Sequence, residues 1–86
     1  MKEIIVIYNN PEQRKEIEEY EGTREVYISF LDYGSKLCKK KAWELMENWG
    51  ARKLPFVLIK ENDKVVHCLY TEDGDKVIRN LKKYYL

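Results

Sequence analysis

Lys53-Leu54-Pro55-Phe56-Val57-Leu58-Ile59 is the stretch that decides the fold. A proline stands at the head of an unbroken apolar run. Continuous rather than alternating hydrophobicity marks a strand covered on both faces, so Leu54 to Ile59 is read as the strand at the heart of a sheet. Glu61-Asn62-Asp63 is a polar turn, and Val65-Val66-His67-Cys68-Leu69-Tyr70 returns as a further strand. The short connection makes an antiparallel hairpin the natural arrangement. Asp73-Gly74-Asp75 then caps a last helix, with Val77, Ile78, Leu81, Tyr84 and Tyr85 along one side.

Upstream, a helix is predicted from Ser35 to Trp49. Cys38, Ala42, Leu45, Met46 and Trp49 fall on one face, Lys36, Lys39, Lys40, Glu44 and Glu47 lie mostly elsewhere, and Gly50 supplies the stop. Asp32-Tyr33-Gly34-Ser35 separates this helix from a strand over Glu25 to Leu31. Before that, Asn10 is a good N-cap, Pro11 suits the first helical position, and Gln13 stands where a capping box requires it. The helix so begun runs to about Tyr20, ends at Gly22, and has a thin apolar stripe of Ile17 and Tyr20. The chain opens with Lys2-Glu3-Ile4-Ile5-Val6-Ile7-Tyr8, a β-branched run that also reads as a strand buried on both faces.

The element order is therefore β-α-β-α-β-β-α, an α/β arrangement with a four-stranded mixed sheet flanked by three helices. The first and third strands must lie inside the sheet. Both early β-α-β connections are expected to be right-handed crossovers between parallel strands, and the late hairpin adds an antiparallel edge. With 86 residues the chain has room for one domain, spanning positions 1–86.

Hydrophobic residues make up 44% and charged residues 36%, enough for a core under a hydrophilic surface. A formal net charge of +1 gives no global attraction to nucleic acid or anionic lipid. Cys38 and Cys68 are too few and too far apart for a disulfide framework. With no leader pattern and no long apolar run, a cytoplasmic protein with no membrane association is expected. The abundance of Lys, Glu, Asn, Ile and Tyr suggests an AT-rich coding genome, bacterial or phage.

Element order and the Lys53–Ile59 motif together resemble the thioredoxin/glutaredoxin superfamily across nearly the whole chain. Members carry a cis proline just before the third strand, so the resemblance implies a cis Leu54–Pro55 bond. It also implies a free backbone edge there, at which peptides or glutathione pair with the chain. The family's chemistry resides in a Cys-x-x-Cys at the start of the first helix, whose N-terminus favours the thiolate. The matching stretch here is Asn10-Pro11-Glu12-Gln13. Pro11 matches the proline of the glutaredoxin motif, but Asn10 and Gln13 stand where the cysteines would. An amide forms no mixed disulfide, which excludes both dithiol and monothiol chemistry at this position. Glutaredoxins also carry Gly-Gly and then Cys/Ser-Asp after the fourth strand. Here Thr71-Glu72-Asp73-Gly74-Asp75 is acidic and would repel a glutathione carboxylate, although Gly74-Asp75 offers a helix N-terminus and Arg52 and Lys53 offer positive charge.

The remaining reactive residues favour structural readings. Cys38, on the apolar helix face, and Cys68, in mid-strand, read as small hydrophobes away from any helix N-terminus. His67 neighbours Cys68 but points to the opposite sheet face, and one histidine with two scattered cysteines makes no zinc site. Lys36, Lys39, Lys40 and Lys41 are expected to form a solvated face paired with Glu44 and Glu47, rather than a nucleic-acid surface. Trp43, at the edge of the apolar stripe, is an interface candidate.

The expectation is a redox-inactive binding module without cofactor or metal. Its partner is a protein or peptide, met near Tyr8, Asn10, Pro11, Glu12, Gln13, Lys53, Leu54, Pro55, Gly74 and Asp75. Glutathione is a weaker expectation. The alternatives are a glutathione-linked redox protein using Cys38 or Cys68, and a nucleic-acid accessory protein using the lysine-rich helix.

Overall fold

The structure, a computed structural model, describes residues 2–21, 26–70 and 73–86. The expected roles of Gly22, Glu25, Thr71 and Glu72 lie outside the described residues. The chain runs β1 (Lys2–Tyr8), α1 (Pro11–Glu18), β2 (Val26–Asp32), α2 (Lys39–Trp49), β3 (Phe56–Glu61), β4 (Lys64–Leu69) and α3 (Gly74–Tyr84). The four strands form one sheet in the order β2-β1-β3-β4, so the two runs that are apolar on both faces are the inner strands.

Alternation along the strands divides the core between two faces of the sheet. Ile4, Val6, Tyr8, Ile28, Val57 and Ile59 meet Ile17 of α1 and Val77, Ile78 and Leu81 of α3, and Leu86 closes this layer. Ile7, Phe56 and Leu58 face the other way, onto Ala42 and Met46 of α2 and onto Ala51. Each inner strand thus supplies both layers, which is why neither shows a polar alternation.

β1 and β2 pair in parallel, but β3 runs antiparallel to β1. This corrects the expectation of a second parallel crossover. The reason lies in the two ends of the α2 connection. Tyr33 N–H, just after β2, donates to the Tyr8 carbonyl (2.8 Å), and Phe56, at the start of β3, sits opposite Ile7. Both flanks of α2 therefore lie at the sheet end where β1 and β2 finish. Tyr33 and Arg52 even line one groove. The chain leaves and re-enters the sheet at the same end, so β3 must run the opposite way.

α2 also begins later than its periodicity suggests. Asp32 Oδ1 accepts from Gly34 N–H (2.9 Å), Ser35 Oγ from Leu37 N–H (3.3 Å), and the Ser35 carbonyl from Cys38 N–H (3.2 Å). These local bonds hold residues 32–38 in consecutive turns that compete with the helix. Leu37 is left 93% exposed. At the far end Gly50 takes φ +67°, the left-handed conformation that lets its N–H close the helix on Glu47 and Met46 carbonyls. Trp49, expected on the apolar face, is instead about half exposed, because α2 contacts the sheet mainly through Ala42 and Met46.

The hairpin between β3 and β4 turns through Asn62 (φ 52°) and Asp63 (φ 65°), the positive pair of a two-residue type I′ connection. Ile59 faces His67 and Lys60 faces Val65, so Val66 is an unpaired bulge residue. His67 lies on the α3 side against the Tyr85 ring, at 5.7 Å between centroids. In α3 the exposed Tyr84 departs from the expected apolar side, whereas Tyr85 packs on the core and Leu86 is buried.

Candidate functional site

Three chain segments converge at the end of the sheet where β1 finishes. The first is the start of α1. Asn10 is extended (φ −107°, ψ 110°), and its side chain accepts from Glu12 N–H at 3.0 Å while Pro11 opens the helix. Gln13 N–H returns to the Asn10 carbonyl (3.1 Å). The Gln13 side chain does not complete a capping box. It turns inward, and its Oε1 is buried with no hydrogen-bond partner.

The second segment is the approach to β3. The Leu54–Pro55 bond is cis. Pro55 is buried and Leu54 half buried against the α2-side core, while Lys53 is exposed. Arg52 N–H is held by the Tyr70 hydroxyl (3.0 Å), and the Tyr70 ring stands edge-on to Phe56 at 6.1 Å. No hydrogen bond among the described residues engages the main chain of Lys53 or Leu54. A main-chain edge with unmet bonding capacity is a ready template for an extended partner.

The third segment is the start of α3. Asp73 caps it by accepting from Asp75 N–H (3.1 Å) and Lys76 N–H (3.4 Å). Gly74 follows, and here the absent side chain matters. A Cβ at Gly74 would come within 2.7 Å of Pro55 Cδ, 3.1 Å of Gln13 Nε2 and 3.3 Å of Leu54 O. Gln13, Leu54 and Pro55 thus all crowd against Gly74, so the first turns of α1 and α3 meet the approach to β3 here.

The other expected residues are placed differently. Asn10, Pro11 and Glu12 are exposed at the α1 start, with Glu12 3.5 Å from Lys15 Nζ. Asp75 is exposed in the first turn of α3. Tyr8 does not line a cleft. Its ring is buried in the α1/α3 layer, edge-on to Phe30 at 6.3 Å, and its hydroxyl receives Arg14 Nη1 at 2.6 Å. Strand alternation puts Tyr8 on the same face as Ile4 and Val6, beneath α1 and α3. Arg14 lies over Phe30 and reaches Glu18 as well. Its bond to Tyr8 is the largest influence raising its already high pKa, so the guanidinium stays charged.

Cys38 stands at the N-cap of α2 and is half buried, which corrects its placement within the helix and away from an N-terminus. Cys68 is exposed. No cluster of three or more metal-ligating side chains occurs among the described residues, and none of their helices is long and apolar enough to cross a membrane.

A groove of about 540 Å³ is lined by Tyr33, Trp43, Met46, Glu47, Gly50, Ala51 and Arg52, the last directly preceding Lys53 in the chain. Sequence reasoning missed it, because it depends on both flanks of α2 lying at one end of the sheet.

No protein-family model matches the chain, and no curated protein matches it in sequence. Solved structures do match. A mutant thioredoxin from Halobacterium salinarum superposes with a TM-score of 0.63 at 12% identity, over 96% of this chain and 74% of that one. The fold is thioredoxin-like. A structure described as a malarial protein superposes with a TM-score of 0.60 at 16% identity, over 100% of this chain and 99% of that one. Within the thioredoxin-like frame, the Gln13–Pro55–Gly74 contact joins the first helix, the approach to the third strand and the last helix.

Proposed function

We propose that this thioredoxin-like chain is a redox-inactive binding module that holds an extended segment of a protein partner along the Lys53–Leu54 main chain. The observation that carries the reading is the unengaged main chain of these two residues, set where the starts of α1 and α3 converge. Strand-like pairing needs only such an edge, with flanking pockets to choose the partner's side chains. The groove beneath Trp43 and Arg52 supplies one. Asn10 and Gln13 in the places of the two thiols support redox inactivity at this position, since neither amide is a nucleophile toward a disulfide.

The test begins with selection of linear peptides against the isotope-labelled chain, followed by amide shift mapping with the selected binders and with reduced glutathione. Peptide-induced shifts at Gln13, Lys53, Leu54, Phe56 and Gly74 support the reading. Peptides that bind while leaving these amides unmoved contradict it. Shifts there with glutathione as well would extend the site to that tripeptide.

A second reading, thiol-dependent chemistry, draws support from Cys38 at the N-cap of α2. Alkylation rates against pH at Cys38 and Cys68 separate the two: ordinary free-cysteine behaviour of both thiols leaves only the binding module.

A further inference from the structure

Lys36, Lys39, Lys40 and Trp43 surround one shallow depression of about 390 Å³ on the outer side of α2. Their spacing places an indole among three ammonium groups. Pairing with Glu44 and Glu47, expected from helical spacing, does not occur. The ion pairs among the described residues are Arg14–Glu18, Lys15–Glu12, Lys60–Glu3 and Lys82–Glu16. The first turn of α2 also holds no acidic residue, and Lys39, Lys40 and Lys41 stand where the helix dipole already favours an anion. Among the described residues, no carboxylate pairs with the positive charge at this end.

Trp43, 51% exposed, also forms a wall of the neighbouring groove, which continues to Tyr33 and Arg52. Lys39 Nζ lies 5.7 Å from the Tyr33 ring centroid. Cations and aromatic rings thus alternate across two contiguous depressions, with Glu47 the one carboxylate lining either among the described residues. An aromatic face accepts a flat base, and flanking cations accept the phosphates that link bases. We propose that this surface binds single-stranded nucleic acid without sequence preference, with a base stacked on Trp43 and phosphates on Lys36, Lys39, Lys40 and Arg52. The surface shares the Trp43–Arg52 groove with the proposed peptide site, but nucleic-acid binding does not depend on peptide capture at Leu54.

The test is fluorescence anisotropy with labelled oligo(dT) and oligo(U), titrated with the full chain over a range of salt concentrations. Four phosphate contacts give a slope of log K against log salt of about −2.8 for a single strand, and the Lys36→Gln/Lys40→Gln variant makes it shallower by about 1.4. Trp43→Ala weakens binding by roughly 5- to 150-fold, and Trp43→Phe restores much of it. In a Trp49→Phe background, the emission of Trp43 is quenched on binding. Equal affinity for the two oligonucleotides or a preference for one supports the proposal alike. Absence of binding at low salt overturns it, as does binding that Trp43→Ala leaves unchanged. Leu37 projects into water beside the patch, so vesicles of anionic lipid form a further arm. Vesicle binding without oligonucleotide binding overturns the proposal in favour of a lipid surface. Should Trp43→Ala fail to fold, the double lysine variant, altered only at exposed positions, decides through the slope.

Discussion

Gly74→Ala tests the convergence of α1, the β3 approach and α3 in a single methyl group. The added Cβ would stand 2.7 Å from Pro55 Cδ, where unstrained carbon–carbon contacts fall at about 3.5–4.0 Å. Pro55 is a buried ring and cannot swing aside, so α3 or the proline segment must shift by close to an ångström. Overpacking of this kind costs typically about 1–3 kcal/mol. Alanine's better helix propensity returns up to about 1 kcal/mol, and less at a first helical position. The net loss is about 1–2 kcal/mol, which for a chain of this size lowers Tm by roughly 4–16 °C. Thermal unfolding followed by far-ultraviolet circular dichroism measures it. Gly34→Ala is the control, because its Cβ would approach only the Asp32 carboxylate oxygen, at 3.3 Å. Trimming Gln13 to alanine as well should not rescue Gly74→Ala, since the proline contact is the shorter one. An unchanged or raised Tm for Gly74→Ala would refute the reasoning and with it the three-way contact on which the site is built.

Gln13→Met replaces a buried acceptor that has no partner, so stability should hold or rise by about 1 kcal/mol in denaturant titration. Asp73→Ala frees two amides at the start of α3 and should cost about 1 kcal/mol by the same assay. Leu81→Ala opens a cavity in the α1/α3 layer and should cost about 2–5 kcal/mol. The native chain should not accelerate reduction of a disulfide substrate by a small thiol, whereas Asn10→Cys/Gln13→Cys should form an intramolecular disulfide and show measurable acceleration.

Much of the fold was legible in the sequence because its strongest signals are local. The Lys2–Tyr8 and Phe56–Ile59 runs lack polar alternation, and only inner strands of a sheet covered on both sides permit that. Asn10 before Pro11 and Asp73 before Gly74 announce helix starts through bonds that span two or three residues. The direction of β3 was not legible, since it depends on where the chain re-enters the sheet after α2. The late start of α2 escaped because helical periodicity over Ser35–Cys38 hides the Asp32 and Ser35 side-chain turns that displace it, and this also concealed Cys38 at the N-cap. At the site, motif position brought Gln13, Leu54, Pro55 and Gly74 into view. Tyr8 stands at the site end of β1, but strand alternation turns its ring into the α1/α3 layer, which its position along the strand does not reveal. The missing Lys–Glu pairs on α2 have the same origin: helical spacing permits such pairs without requiring them.

The central claim is that the Leu54 main chain is open and becomes paired when a partner binds. Amide hydrogen exchange at Leu54, read by NMR with and without a selected peptide, tests it most directly. The account predicts exchange near the unprotected rate in the free chain, against slow exchange at Val57 and Ile59 within the sheet, and marked slowing at Leu54 when the peptide is bound. Strong protection of Leu54 in the free chain, or no change on binding, would contradict it.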